Sequence, residues 1–384
     1  MSGLFFFSVL IYLHMSDVLE YLRWRGDLTF ERDPLNEADH LVFSVLSYVK
    51  MDDLDSEGKT IEEIWTQYTE TGVDQSKDTL DPSSVLKQCA ESERYRNVRV
   101  TRYMNMLSEK DRMQFCAMLF HYLPERIYAA FRGTDSTFTG WHEDLNMSAV
   151  EQIPSQLTAA GYVQESLGGG SERLIFGGHS KGGNLAQYAA AACSSDIRER
   201  IEQIVSLDGP GFRESFVSVP VFQELIPITV HYVPEESIVG MLMENPVADT
   251  VVKCEGALLD QHDPYMWHIT RTSFERAEKL SGISEFTRET VDRWLESLSD
   301  EERNSFITMV FNAISSSGAS RINEFVSHPF ANTATVLSAL SKADKETQNQ
   351  ASAVISKLLQ ASTDTVWETI RAGFIKSERE QDAE

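Results

Sequence analysis

The chain of 384 residues has few cysteines and few basic residues. No two cysteines form a CxxC pair, which argues against a zinc site or a redox motif. We expect buried thiols in a reducing, cytoplasmic compartment. The four cysteines are Cys89, Cys116, Cys193 and Cys254. With 34 Lys and Arg against 59 Asp and Glu, the formal net charge is -25. This charge repels nucleic acid and anionic lipid surfaces, so we expect neither as a partner.

Long apolar runs and cofactor-binding motifs are also missing. The apolar stretch 4–13 is too short to span a bilayer as a helix, and it lacks the preceding basic residue of a signal peptide. We interpret residues 1–14 as a frayed or non-native N-terminal extension, and we expect no stable membrane span. The sequence has no Walker loop, dinucleotide fingerprint or zinc-ligand spacing, so it predicts neither a metal nor an organic cofactor.

The middle of the chain alternates strand-like and helical segments. Runs rich in Val, Ile and Leu predict strands, and most of them are separated by segments with helical periodicity. This alternation predicts an α/β domain with a mostly parallel central sheet, opened by a hairpin that turns near Pro124. The predicted strands are 98–101, 114–120, 126–131, 173–176, 204–207, 228–233 and 250–254.

The pattern changes near residue 271. No strand is predicted after His268, and amphipathic helices continue to residue 375. A charged tail, 376–384, follows and is expected to be disordered. The helical part carries an apolar stripe that faces either a core or a partner, which leaves homo-oligomerisation through these helices open. The stripe consists of Ala351, Val354, Ile355, Leu358 and Leu359. The predicted organisation is a domain over 15–270 and an all-helical C-terminal extension over 271–375.

One motif carries the clearest chemistry. After an apolar strand, Gly178-His179-Ser180-Lys181-Gly182 fits the pattern G-x-S-x-G, and a helix rich in small residues follows. In such a nucleophile elbow, glycines make room for a tight turn that projects the serine hydroxyl above the sheet. The motif predicts an α/β-hydrolase fold with Ser180 as nucleophile, against the alternative of a glycine-rich structural turn. The backbone N–H of Lys181 would stabilise an oxyanion, and its side chain is expected to be solvated.

A second motif precedes the elbow. The strand 126–131 runs into Arg132-Gly133-Thr134, and Gly-Trp-His-Glu-Asp-Leu follows at 140–145. Together with the elbow, this resembles the class 3 lipases, whose pattern is Phe-Arg-Gly-Thr or Ser, then a Trp and an Asp-Leu pair. The resemblance implies that Thr134 helps to form an oxyanion hole through its backbone N–H and hydroxyl. The alternative for Thr134 is a turn residue that caps its loop.

A closer resemblance is to bacterial lipase-like proteins known as family 2974 of the domains of unknown function. It covers roughly residues 15 to 270 and implies the fold and the reaction type, but no substrate. Several ordered motifs carry it: 17–27, 132–134, 140–144, 178–184, 208–212, 237–242 and 261–263.

The base must follow the nucleophile, because the chain order in this fold is Ser, then Asp or Glu, then His. His262 lies in a loop after the last predicted strand, where the fold presents its base. His268 is the alternative. His231 falls within an alternating strand-like run, where a packed histidine is the ordinary interpretation.

The acid has two candidate positions. Asp208 ends the strand 204–207 and enters a Gly-Pro-Gly turn, where some lipases of this fold carry their acid. The class 3 lipases place an Asp after the following strand, and this chain has Ser237 there, with Glu235 and Glu236 just upstream. We favour Asp208, with Glu236 or Glu235 as the alternative acid. A turn-capping role remains open for Asp208.

The sequence therefore predicts a serine hydrolase that cleaves carboxylic esters, lipid esters included. The expected route is a Ser-His-Asp triad and an acyl-enzyme, with a small-molecule ester or lipid as substrate and no cofactor. The alternative is a catalytically silent α/β-hydrolase scaffold that binds a partner or a small lipid. It rests on the missing acid at the class 3 position.

Overall fold

A seven-stranded sheet forms the centre of the computed structural model. The structure describes residues 17–73, 80–135 and 137–315, together with 345, 349, 352–354, 356, 357 and 359–365. The strands are β1 (Arg99–Ser108), β2 (Met113–Leu123), β3 (Arg126–Phe131), β4 (Arg173–His179), β5 (Ile201–Leu207), β6 (Thr229–Pro234) and β7 (Asp249–Val252). They lie side by side in chain order. The pairs β1–β2 and β2–β3 are antiparallel, and every pair from β3 to β7 is parallel.

The mostly parallel sheet and its opening hairpin are confirmed. Strand β3 has the predicted bounds, while β1 and β2 are longer than predicted. Beyond its first residue β4 is buried throughout, as expected of a central parallel strand that is covered on both faces. The apolar runs and their alternation with helical segments therefore predicted the sheet correctly.

Helices cover both faces of this sheet, as in an α/β-hydrolase fold. Helix α2 packs on β3 and β4 from one side, and α6 and α7 pack on β2, β3, β4 and β5 from the other. The helices are α1 (Val18–Arg25), α2 (Glu37–Leu46), α3 (Ile61–Thr71), α4 (Ser83–Glu91), α5 (Phe138–Asn146), α6 (Pro154–Leu167), α7 (Lys181–Ala192), α8 (Ser195–Arg198), α9 (Glu214–Val217), α10 (Pro220–Leu225), α11 (Gly282–Glu296) and α12 (Asp300–Ser315).

A buried ion pair holds the N-terminal helices together. Asp39, in the first turn of α2, accepts hydrogen bonds from Nε of Arg94 at 2.8 Å and from the hydroxyl of Tyr21 at 2.8 Å. The hydroxyl of Tyr95 also donates to Asp39. The side chains of Asp39 and Arg94 are both completely buried. We call Asp39 and Arg94 the N-terminal ion pair; it joins α1, α2 and the segment after α4.

The helices after residue 271 pack on the domain that precedes them. The hydroxyl of Ser284 on α11 donates to the backbone oxygen of Ser237 at 2.5 Å. On α12, Asp300 forms an ion pair with Arg213 at 3.0 Å, and Arg303 donates to the backbone oxygen of Ser148 at 2.8 Å. The division into a 15–270 domain and a 271–375 extension stays a prediction.

The prediction of no strand after His268 is wrong. Two short antiparallel strands, β8 (Ile269–Thr270) and β9 (Ser273–Phe274), form a small hairpin. Strands of two residues are too short to give a periodic signal, so the sequence pattern missed them. The segments 1–14 and 376–384 lie outside the described residues, as do Ala351, Ile355 and Leu358 of the apolar stripe.

The cysteines are free thiols. Three of them are buried, as predicted, whereas Cys254 is partly exposed just after β7. In the part of the chain that the structure describes, no helix combines the length and the apolar character that a bilayer crossing requires.

Candidate active site

Ser180 lies at the sharp turn between β4 and α7. Its φ of 58° and ψ of -134° are a conformation that side chains rarely adopt, as expected of a nucleophile elbow. The turn passes close to β3: a Cβ atom on Gly182 would lie 2.0 Å from the backbone oxygen of Phe131. A Cβ atom on Gly178 would lie 2.4 Å from the backbone carbon of Gly182. Both glycines of the motif are therefore required by close backbone approach.

The parallel strands bring the candidate residues to one edge of the sheet. Thr134 follows β3, Ser180 follows β4 and Asp208 follows β5, each just past the carboxyl end of its strand. The backbone N–H of Ser180 donates to the oxygen of Leu207 at 2.9 Å, which ties the elbow to the residue before Asp208. His262 reaches the same edge at the end of a short 3-10 turn.

Asp208 and His262 form a hydrogen-bonded pair. The Oδ2 atom of Asp208 lies 2.6 Å from Nδ1 of His262. The other oxygen, Oδ1, accepts from the hydroxyl of Ser237 at 2.5 Å and from the backbone N–H of Gly240 at 3.0 Å. Asp208 is completely buried and has a φ of 50°, whereas His262 keeps about a quarter of its side chain exposed, 23%. The carboxylate is therefore fixed from both sides, and the imidazole stays accessible.

The surroundings keep the Asp208 carboxylate ionised. Burial by itself would raise the pKa of Asp208. The hydrogen bond and charge of His262 and the hydrogen bond from Ser237 outweigh this effect, so the pKa lies below its ordinary value. An ionised, buried carboxylate at Nδ1 leaves Nε2 of His262 as the proton-accepting atom.

His179 contacts both the ring and the backbone of His262. The two rings lie 4.6 Å apart, and Nε2 of His179 lies 2.7 Å from the backbone oxygen of His262. The hydroxyl of Tyr48 lies 3.3 Å from Nδ1 of His179. Burial, with the charge of His262, lowers the pKa of His179 to about 3, so this ring is neutral at ordinary pH. It donates from Nε2 and accepts from Tyr48 at Nδ1. We assigned His179 no role from the sequence, although it directly precedes Ser180.

The alternative site residues lie elsewhere. Oε2 of Glu236 accepts from the backbone N–H of Leu258 at 2.8 Å, so this carboxylate supports the loop that carries His262 and not the imidazole itself. His231 is completely buried between Asp249 and the backbone oxygen of Gly209, as expected of a packed histidine. His268 lies 3.9 Å from each of two glutamates, Glu255 and Glu275.

The oxyanion loop, residues 132–135, packs tightly on the elbow. A Cβ atom on Gly133 would lie 2.6 Å from the backbone oxygen of His179. Thr134 is buried, and its hydroxyl donates to Oδ2 of Asp144 on α5. Burial raises the pKa of Asp144, while the charge of Lys181 and the bond from Thr134 oppose that increase. With its hydroxyl engaged, Thr134 has its backbone N–H left to bind an oxyanion.

The expectation that the Lys181 side chain is solvated is wrong. Only 1% of it is exposed, and Nζ lies 3.0 Å from Oε2 of Glu143. Nζ also donates to the backbone oxygen and to Oε1 of Gln114, both at 3.0 Å. The first turn of α7 is buried against the sheet, so a side chain that begins there cannot reach solvent. No group of three or more metal-ligating side chains comes together among the residues that the structure describes.

Comparison with known families gives one match for the sequence. The model of the Mbeg1-like family matches residues 89–312, more than half of the chain, and this span includes every residue of the candidate site. No curated protein matches the sequence.

Several solved lipase structures resemble the fold. The native lipase propeptide complex of Rhizomucor miehei is 16% identical, and the match covers 56% of this chain and 67% of that chain with a TM-score of 0.35. A triacylglycerol lipase with a serine protease triad as its catalytic centre is 17% identical, over 56% of this chain and 78% of that chain, with a TM-score of 0.35. The narrower resemblance to the bacterial proteins of family 2974 stays a prediction.

Proposed function

The chain belongs to the Mbeg1-like family, and from this membership and the site geometry we propose that it is a serine hydrolase that cleaves carboxylic esters, lipid esters included. The observation that carries the proposal is the 2.6 Å contact between His262 and Asp208 beside the strained elbow at Ser180. A buried carboxylate that orients an accessible imidazole, at the sheet edge that also carries a serine elbow, is the arrangement that we expect to activate a hydroxyl for attack.

Acylation begins with a proton transfer. Nε2 of His262 takes the proton of Ser180 while the serine oxygen bonds to the acyl carbon, and the carbonyl electron pair moves onto oxygen. Asp208 holds the imidazole in the required tautomer and stabilises the imidazolium. The imidazolium then gives its proton to the alcohol oxygen as the ester C–O bond breaks. Water repeats these steps on the acyl-enzyme and releases the acid.

The oxyanion is bound by two backbone donors in this mechanism. One is the N–H of Lys181 at the start of α7, and the other is the N–H of Thr134 in the oxyanion loop. Donors that are already in place before the reaction stabilise the tetrahedral intermediate without reorganisation, which makes them a large contribution to catalysis.

An uncharged ester is the substrate class that the electrostatics favour. A net charge of -25 opposes the approach of anionic molecules and anionic lipid surfaces. A cytoplasmic location and self-association through the C-terminal helices stay predictions.

Hydrolysis of p-nitrophenyl butyrate and palmitate by the purified protein tests the proposal. We expect Ser180→Ala and His262→Ala to lower kcat/KM by at least about 10⁴-fold, because members of a triad act as a unit. Ser180→Ala should also abolish covalent labelling by a fluorophosphonate probe.

His268→Gln is the matched control, because it removes the alternative candidate for the base and should keep the activity of the native protein. A native protein that neither hydrolyses the esters nor reacts with the probe would contradict the enzyme assignment and favour a silent scaffold. Activity that survives in His262→Ala and disappears in His268→Gln would instead move the base to His268.

A further inference from the structure

The side chain of Lys181 joins three elements beneath the oxyanion loop. Lys181 begins α7, and its ammonium group donates to the backbone oxygen and the side-chain oxygen of Gln114 on β2. Its third hydrogen bond goes to Glu143 on α5. The residue that follows the proposed nucleophile is thereby tied to β2 and to α5, whose Asp144 accepts from Thr134.

The two carboxyl groups around this ammonium group are also held by several contacts. Glu143 also accepts from the backbone N–H of Gln114 at 3.0 Å and from that of Ser155 at 2.9 Å. Asp144, the neighbour of Glu143, has Oδ1 at 3.5 Å from Nζ of Lys181, and its Oδ2 accepts from Thr134. A continuous set of contacts therefore runs from Lys181 through Asp144 to the oxyanion loop.

The charge of this pair is more than a packing device. A buried ammonium and a buried carboxylate both lose their hydration, and an apolar side chain of similar length would fill the same space without that loss. Unlike an apolar side chain, the ammonium group holds its partners, Gln114 on β2 and Glu143 on α5, at hydrogen-bond distance. The two groups that its contacts reach are the proposed oxyanion donors, the backbone of Lys181 itself and Thr134.

We propose that the buried ammonium group of Lys181, held by Glu143, is a positioning group that fixes both oxyanion donors. It anchors the first residue of α7, which carries one donor. Through the carboxyl group of Asp144 it orients Thr134, which carries the other. This inference rests on the proposed serine hydrolase function.

The test replaces the pair by neutral residues of similar size, Lys181→Met with Glu143→Gln, in the full-length chain. Active sites are counted by titration with a fluorophosphonate probe, so that kcat refers to reactive molecules only. The affinity for the oxyanion is measured as the Ki of an alkyl trifluoromethyl ketone, which forms a tetrahedral adduct with the serine. The substrate is p-nitrophenyl butyrate.

We expect kcat per titrated site to fall about 10- to 100-fold and the Ki of the ketone to rise by a similar factor, with KM within about twofold of the native value. A merely structural role would lower the melting temperature or the number of active sites and leave these two quantities unchanged. Retention of kcat per site and of Ki within about twofold would overturn the proposal.

Glu143→Asp provides a second variant that keeps the charges and shortens one arm. It should lower kcat per site by a smaller factor, about 3- to 10-fold, with a parallel rise in Ki. If the double variant does not fold, this variant decides, and unchanged values would overturn the proposal. Failure of the proposed function itself appears separately, because the native protein would then show neither turnover nor labelling at Ser180.

Discussion

Among the residues that the structure describes, two ion pairs have both side chains buried, and they connect different parts of the fold. The N-terminal ion pair of Asp39 and Arg94 connects the first two helices, the loop between them and the segment after α4. The pair of Glu143 and Lys181 lies directly behind the nucleophile and contacts residues that support the oxyanion loop. Asp39 lies at the start of α2. Tyr48, which contacts His179 in the site, lies just after the other end of this helix.

This difference teaches that burial alone does not reveal what a charge is for. Both pairs lost their hydration on folding, and both are completed by further hydrogen bonds to neighbouring groups. What separates them is the next residue along each set of contacts. The contacts of Asp39 and Arg94 lead to tyrosines and to the ends of helices. The contacts of Glu143 and Lys181 lead to the groups that we propose to bind the oxyanion.

The sharpest test compares two regions, the candidate active site and the N-terminal helices. One buried carboxylate is neutralised in each of them. Asp208→Asn should lower kcat per titrated site by about 10⁴-fold, because an amide at Nδ1 holds His262 in the wrong tautomer. Asp39→Asn should leave kcat per site unchanged and lower the free energy of unfolding by about 3 kcal/mol, because it leaves Arg94 buried without its partner. Titrated kinetics and urea unfolding measure the two effects.

A change of kcat per titrated site in Asp39→Asn would contradict a purely structural role of the N-terminal ion pair. The comparison would equally fail if Asp208→Asn acted only through stability. The asparagine at 208 can still accept from Ser237 and Gly240, so we expect its unfolding midpoint to stay near the native value.

A smaller effect concerns two buried neutral histidines, one in each region. Burial lowers the pKa of His40 to about 4, and burial with the charge of His262 lowers that of His179 to about 3. Between about pH 6.5, the ordinary pKa of histidine, and these lowered pKa values, the two histidines are protonated in the unfolded chain but not in the folded protein. Stability is therefore lost as the pH falls below about 6.5, by up to about 1.4 kcal/mol per pH unit for each group.

Replacing each histidine separates stability from activity. His40→Asn should flatten this acid-side loss and leave kcat per site unchanged, whereas His179→Asn should flatten it and also lower kcat, because it removes the brace of His262. Urea unfolding at pH 4.5, 5.5 and 6.5 measures the slopes. An unchanged slope in both variants would contradict the assignment of neutral, buried rings.

The smallest effect is expected on the surface. Arg213 and Asp300 form a bidentate pair between the domain and α12, but the Asp300 side chain is 55% exposed. Exposed pairs of this kind contribute little because water screens them. Asp300→Asn should change the free energy of unfolding by less than about 1 kcal/mol and leave kcat per site unchanged. A larger loss in urea unfolding would show that α12 is held mainly by this pair.

Much of the fold could be predicted because its signals are local. Strand β3 matched its predicted bounds, and the elbow motif lies between β4 and α7 as expected. Helix α2 begins after Asn36, whose side chain caps it in a capping box with Asp39. The small hairpin of β8 and β9 was missed, because pairing of two-residue strands depends on tertiary contacts and not on periodicity.

The candidate site was predictable in part for the same reason. The elbow motif indicated Ser180, and chain order placed the acid and the base after it. Neither could separate Asp208 from Glu236, since both follow neighbouring strands and only the three-dimensional distances distinguish them. The burial of Lys181 was unpredictable, because a lysine after a nucleophile gives no sign of partners that lie 67 residues away on β2 and 38 residues away on α5.

Helix α11 links the Asp208 carboxylate indirectly to the part of the chain beyond residue 271. Ser284 donates to the backbone oxygen of Ser237, and the hydroxyl of that same serine donates to Asp208. Two hydrogen bonds thus link a helix beyond residue 271 to the acid that orients His262. A shortened chain that ended at residue 270 would leave the Ser237 carbonyl without this donor. Helix α11 therefore contributes to the surroundings of the acid that we propose for the triad.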